Sequence, residues 1–317
     1  MNTTTSPYVV ETDGLTKRFG DRTAVSDVDL HVPRGVAFGY LGPNGAGKTT
    51  LIRMLLGLTH ASAGSMKLLG LPVPERRAEA LARVGAIVEE PRFHGHLTGS
   101  ENLRVVAAAR GPEAHARIGA SLDRVGLTAR AGDRVSTYSL GMKQRLGIAR
   151  CLLADPELLV LDEPMNGLDP AGIEELRVLI RSLVAEGRTV VLSSHLLSEV
   201  ERTCDAVAIV DQGRVVVQGS LDELRSDGAP TLLVASADDT RARSLLGAHV
   251  SVDSVTVADG ALSVRLHHGT ETVAREAAAD INRRLVEAGI PVYRLEPQQV
   301  SLEQRFLEIT SRLEEAA

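Results

Sequence analysis

Apolar and polar residues alternate over residues 25–32, the pattern of a strand with one buried face. The run Val36-Ala37-Phe38-Gly39-Tyr40-Leu41 then predicts a second strand, leading into a glycine-rich segment. Helical spacing follows over residues 50–58, then a turn-rich stretch at 68–74, a helix over 78–83 and a short apolar strand over 84–88. Three further helical patterns, at 99–109, 113–125 and 140–154, predict a helical insertion. Aliphatic runs return at 158–161 and 189–192, separated by a helix over 173–185. This alternation predicts an α/β fold, a mainly parallel sheet with helices on its faces. Ligands of such sheets gather at the C-terminal ends of the strands.

Residues 206–210 and 214–218, joined through Gln212-Gly213, read as a hairpin. A boundary helix at 221–226 and the linker Asp227-Gly228-Ala229-Pro230 follow. Beyond the linker the pattern changes to strands at 232–235, 250–257, 261–266 and 292–295, interleaved with helices at 240–246, 272–288 and 302–313. The expected organisation is a larger α/β domain over 1–226, with its helical insertion at about 92–155, and a small α+β domain over 227–317.

The chemistry begins at Gly42-Pro43-Asn44-Gly45-Ala46-Gly47-Lys48-Thr49-Thr50, which fits the phosphate-loop pattern GxxxxGK[ST] between a strand and a helix. Glycines such as Gly42, Gly45 and Gly47 allow the tight turn that aims successive backbone N–H groups at phosphate oxygens. A helix N-terminus behind the loop adds positive potential. Lys48 is placed to reach β and γ phosphates, and the Thr49 hydroxyl to ligate Mg²⁺. A second element, Leu158-Leu159-Val160-Leu161-Asp162-Glu163, ends an apolar strand in paired carboxylates. Asp162 is the candidate metal holder, and Glu163 the group that orients or deprotonates water. His195, just past another strand, suits contact with the γ-phosphate and, through Glu163, fixing of that water.

Composition narrows the partners. The 317 residues carry a net charge of −6 with both signs interspersed and a pI near 5.9, so nucleic acid is not expected as principal ligand. Trp is absent and aromatics make up 3%, leaving little for base-stacking platforms. Cys151 and Cys204 are too few for a disulfide framework or a metal cluster. No basic, apolar leader is evident in the first residues, and no apolar run is long enough to cross a bilayer.

Together these motifs resemble the ATP-binding subunits of ATP-binding-cassette transporters, over about residues 8–219. Tyr138-Ser139-Leu140-Gly141-Met142-Lys143-Gln144-Arg145 is similar to that family's signature motif, Asn166-Gly167-Leu168-Asp169 to its D-loop, and His195 to its switch histidine. Thr16-Lys17-Arg18-Phe19-Gly20 resembles the segment whose aromatic stacks on adenine, with Phe19 in that role. The resemblance implies a head-to-tail dimer, of two copies or with a related ATPase, in which Ser139 and Gly141 donate hydrogen bonds to ATP held by the partner. It also implies a separate transmembrane permease subunit and a place on the cytoplasmic face of the membrane. A non-transport member acting on DNA or ribosomes is the alternative; such members typically carry paired cassettes or basic insertions.

Two positions depart from the family pattern. Leu140 stands where the signature has its first glycine, and Glu89 where a glutamine ligand of Mg²⁺ is usual. Both resemble the branch that drives antibiotic and drug exporters, as does the tail Val300-Ser301-Leu302-Glu303-Gln304-Arg305-Phe306-Leu307-Glu308. A carboxylate at Glu89 ligates Mg²⁺ through oxygen but adds negative charge near the triphosphate. Turnover of Glu89→Gln is therefore expected to depend less steeply on Mg²⁺ than that of the parent, in a steady-state titration of the cation.

Overall fold

The computed structural model describes residues 6–226, 230–258, 260–267 and 271–298. They form two compact units, Met1–Gly219 and Ser220–Ala317. In the first, β1 (Tyr8–Phe19) and β2 (Arg22–Pro33) form a hairpin, and β3 (Ala37–Leu41) runs through the glycine-rich loop into α1 (Lys48–Leu55). Then come β4 (Ala63–Leu68), β5 (Leu71–Val73), α2 (Arg77–Ala82) and β6 (Val84–Ile87). The helical insertion contains α3 (Gly99–Arg110), α4 (Pro112–Ala116), α5 (Ile118–Arg124) and α6 (Leu140–Leu152). The chain returns through β7 (Leu158–Leu161), α7 (Pro170–Ala185), β8 (Thr189–Ser194), α8 (Leu197–Thr203), β9 (Ala206–Asp211) and β10 (Arg214–Ser220).

Two sheets share these strands. One has the order β10-β9-β3-β8-β7-β6, parallel from β9 through to β6. The other, β2-β1-β4-β5, is antiparallel. Leu51, Ile52, Met54 and Leu55 of α1 join one buried cluster with Val10, Leu30 and Leu68 of the antiparallel sheet and Phe38, Val160 and Val191 of the parallel one. The helix behind the phosphate loop is therefore packed between both sheets. That is why it holds its place.

The antiparallel sheet is where the hydrophobic pattern misleads. Residues 68–74, expected as turn, form the β4–β5 hairpin, whose two-residue turn places Leu69 and Gly70 at φ 53° and 79°. β1 has no clean alternation because its pairing with β2 slips after Thr12↔Leu30. At that slip the buried Thr12 hydroxyl donates to the Val28 carbonyl at 2.7 Å and accepts from the Leu30 amide at 2.9 Å. A side chain replaces a ladder rung. The helix expected at 113–125 is divided at Arg117, whose N–H is shared between the carbonyls of Glu113 and Ala114. The β9–β10 turn is as expected, Gln212 and Gly213 both taking positive φ.

The second unit comprises α9 (Leu221–Ser226), β11 (Thr231–Ser236), α10 (Asp239–Gly247), β12 (Val252–Ala258), β13 (Ala261–Leu266), α11 (Glu271–Glu287) and β14 (Val292–Gln298). Its sheet has the order β12-β13-β11-β14, with Leu232, Val234, Leu262 and Val264 buried against Leu246, Ile281 and Leu285. His249 is buried beside this core, its Nε2 at 2.8 Å from Asp280 and its Nδ1 accepting from the Ser251 amide. That bond, with Arg284 alongside, holds the Asp280 carboxyl below the usual carboxylate range. The helix expected at 302–313 lies outside the described residues.

Thr12→Val keeps the shape of the side chain but removes the bridge across the β1–β2 slip. It is expected to cost about 1–3 kcal/mol, read as a lower urea midpoint at unchanged slope.

Candidate functional site

Strand order decides which loops meet. Parallel β8 lies between β3 and β7, with Leu41 opposite Ser194 and Leu161 opposite Leu192. The C-terminal ends of these three strands carry, in turn, the glycine-rich loop, His195 and the Asp162-Glu163 pair. They converge on a cavity of about 510 Å³. Phe19, Asn44, Gly45, Gly47, Lys48, Thr49, Thr50, Glu163 and His195 line it, all expected from the sequence.

The loop is built for close backbone approach. Gly45 and Gly47 take φ of 86° and 94°, in the left-handed region. A Cβ on Gly47 would lie 2.2 Å from the Ala24 carbonyl oxygen, and one on Gly42 would lie 2.4 Å from that of Val210. Gly47 also begins α1 with no side chain capping it. The amides of the first turn are thus not taken by a capping side chain, the arrangement that binds anions.

Lys48 is 6% exposed and has three acceptors for its three protons. Its Nζ donates to the Gly42 carbonyl at 2.7 Å and the Pro43 carbonyl at 3.1 Å, and lies 3.1 Å from Glu163 Oε1. The other carboxylate oxygen, Oε2, is 2.8 Å from His195 Nδ1. An ionised carboxylate only accepts, so Nδ1 carries the proton in this pair. Glu163 itself has φ 46°, rare for a residue with a side chain and a mark of functional sites. Asp162 is 3% exposed beneath it, bonded to the Ser193 hydroxyl at 2.6 Å.

Other expected residues are placed elsewhere. The Glu89 carboxylate is exposed and pairs with Arg53 of α1 at 2.5 Å, outside the cavity lining. Ser139 caps α6, accepting from the Met142 amide at 3.2 Å, and Gly141 sits in the helix's first turn; neither lines the cavity. Leu140 leans over Gly167, which at φ 74° would bring any Cβ within 3.0 Å of Leu140 Cδ2. The leucine in the signature therefore packs on the Asn166–Asp169 turn of its own chain. Asp169 caps α7, accepting from the Gly172 amide at 3.0 Å.

The sequence assigns no role to Arg22, Ala24 and Ser193, and places Asn166 only within the segment that resembles the D-loop. Arg22 stands across the β1–β2 turn from Phe19, legible had the Gly20-Asp21 pair been read as a hairpin turn. Asn166 sits at the cavity wall, its amide bonded to the Glu163 carbonyl. Ser193 had no local signal, because its partners Asp162 and Glu163 lie just past the end of the neighbouring strand.

Both cysteines are buried, and burial pushes the Cys151 thiol up to about 11 and also raises that of Cys204. Neither is a candidate nucleophile.

A phosphate loop, paired carboxylates and a histidine at adjacent parallel strand ends, with a helical insertion, define an ATP-hydrolysing cassette. The profile of the family described as ABC transporter matches residues 25–166. The bacitracin transport ATP-binding protein BcrA of Enterococcus faecalis is 38% identical over 300 residues, covering 94% of this chain and 95% of its own. Its namesake from Bacillus licheniformis is 40% identical over 303 residues, with 95% and 97% covered. A solved structure described as the ATP binding subunit of an ABC transporter aligns with TM-score 0.61 and 32% identity, covering 68% of this chain and 92% of its own. The chain belongs to the family of ABC transporter ATP-binding proteins. It is an ATPase subunit of such a transporter.

Gly47→Ala places a methyl group on the Ala24 carbonyl at a backbone angle that disfavours it. Affinity for ATP is expected to fall at least tenfold, measured by equilibrium titration with a fluorescent ATP analogue.

Proposed function

We propose that this subunit drives export of a drug or antibiotic through a separate transmembrane permease, by ATP-dependent closure of a head-to-tail dimer on the cytoplasmic face of the membrane. The observation that carries the ATPase chemistry is the meeting of Lys48, Glu163 and His195 within 3.1 Å at adjacent strand ends. The identity of 38–40% to two bacitracin transport ATP-binding proteins, nearly end to end, supports export as the use. Among the described residues no helix is long and apolar enough to cross a membrane.

In this reading the loop amides and Lys48 hold the β and γ phosphates, and Phe19 stacks on the adenine. A triphosphate seated in the loop competes with Glu163 for Lys48, because its charge density exceeds that of one carboxylate. Glu163, released from the ammonium, keeps its bond to His195 and takes up the attacking water as base or orienting group. The oxygen donors Thr49 and Asp162 suit Mg²⁺, a hard cation, and the buried Asp162 carboxylate is already pinned by a hydrogen bond. Bound there, Mg²⁺ would neutralise phosphate charge. Ser139 and Gly141, outside the cavity of their own chain, serve the ATP of the partner subunit. Closure thus depends on two bound nucleotides, and hydrolysis releases it.

Glu163→Gln keeps the shape and removes the basic oxygen. Turnover is expected to drop by about 10²–10⁴-fold while ATP accumulates a stable dimer, seen by size-exclusion chromatography with light scattering. An unaltered rate would remove Glu163 from this role. Purification of the same variant with ATP from solubilised native membranes is expected to bring down a stoichiometric polytopic protein.

A further inference from the structure

We propose that Ser193 is a positioning residue for hydrolysis, its hydroxyl locking the Asp162 carboxylate and the Glu163 backbone into one geometry. This rests on the cavity being the site of ATP hydrolysis. Ser193 is wholly buried on β8, two residues before His195. Its Oγ lies 2.6 Å from Asp162 Oδ1 and 2.8 Å from the Glu163 amide nitrogen. A hydroxyl has one proton, and an ionised carboxylate cannot donate, so the proton goes to Asp162 and a lone pair receives the amide.

The need for such a clamp follows from where the ladder ends. Pairing between β7 and β8 stops at Leu161↔Leu192. Past that pair the Asp162 amide still makes the last rung to the Ile87 carbonyl of β6, while the Glu163 amide bonds to the Ser193 hydroxyl on the β8 side. Glu163 departs from strand geometry at this point, with φ 46°. A residue with a Cβ stays in that region only when its surroundings over-determine it. The hydroxyl supplies that constraint from the adjacent strand. Glu163 is then held at both ends by groups of β8 and its extension, the backbone by Ser193 and the carboxylate by His195. Since phosphoryl transfer gains mainly from positioning, loosening the backbone end should slow the reaction without weakening nucleotide binding.

The test measures kcat, KM and the dissociation constant for ATP in Ser193→Ala, Ser193→Cys and Ser193→Thr, beside Thr12→Val. Thr12 also makes a buried two-bond hydroxyl bridge, but in the antiparallel sheet, so it reports the cost of losing such a bridge away from the site. Ser193→Ala is expected to lower kcat about 10–100-fold with ATP affinity within threefold of the parent, and Ser193→Thr to recover most of that loss. Ser193→Cys, nearly isosteric but a weak donor, is expected to lose at least fivefold, which keeps the test decisive should the alanine variant not fold. Thr12→Val is expected to lose stability and keep its kcat. A kcat within twofold of the parent in Ser193→Cys or a folded Ser193→Ala overturns the assignment, as does an equal loss in Thr12→Val. If instead Gly47→Ala leaves ATP affinity untouched, the cavity reading itself fails.

Discussion

Glu163 shares one carboxylate between Lys48 and His195, and this sharing is possible only because β3, β7 and β8 lie side by side in parallel. The three groups come from segments more than thirty residues apart in the chain, so no local preference brings them together. Parallel pairing does, by setting all three strand ends at the same edge of the sheet. The left-handed turn at Glu163, the buried carboxylate of Asp162 and the glycines of the loop are local consequences of packing functional groups into that edge.

Around this edge the rest of the unit acts as scaffold. Helix α1 is fixed between two sheets, which holds the phosphate loop from behind. The helical insertion is tied to the parallel core by arginines. Arg145 of α6 pairs with Glu175 of α7 at 3.3 Å and also donates to the Val125 carbonyl, while Arg124 of α5 pairs with Glu186. Arg177 of α7, only 16% exposed, reaches Glu199 of α8 at 2.9 Å. The more exposed Arg124–Glu186 pair is of a kind that contributes about 0–1 kcal/mol, so its value lies in orientation more than in stability. Arginine suits that task because its planar fork fixes direction as well as distance. The signature segment is anchored differently, by Leu140 packed on Gly167, which joins it to the turn that follows the carboxylate pair.

Much of the fold was legible along the chain. The parallel strands, the helices of the insertion and the β9–β10 hairpin have strong periodicity or an unmistakable turn pair. β1 and β4 were not, because a ladder slip breaks the alternation of one, and the other begins with three exposed residues. The break at Arg117 leaves no mark in the pattern, since α4 and α5 continue the same apolar spacing across it.

For the site, residue identity carried the chemistry. A lysine behind glycines, two carboxylates after an apolar strand and a histidine after another are readable because phosphate chemistry demands those groups in those local settings. Their mutual distances were not readable, nor were the placement of Glu89 on Arg53 and the bridge through Ser193. Hydrogen bonds between side chains of neighbouring strands depend on register and strand order, which are global properties of the fold. The sequence by itself thus determined which groups are present and which local turns they occupy. Only the tertiary structure decided which of them touch, because contact across a sheet is set by the packing of the whole unit and not by spacing along the chain.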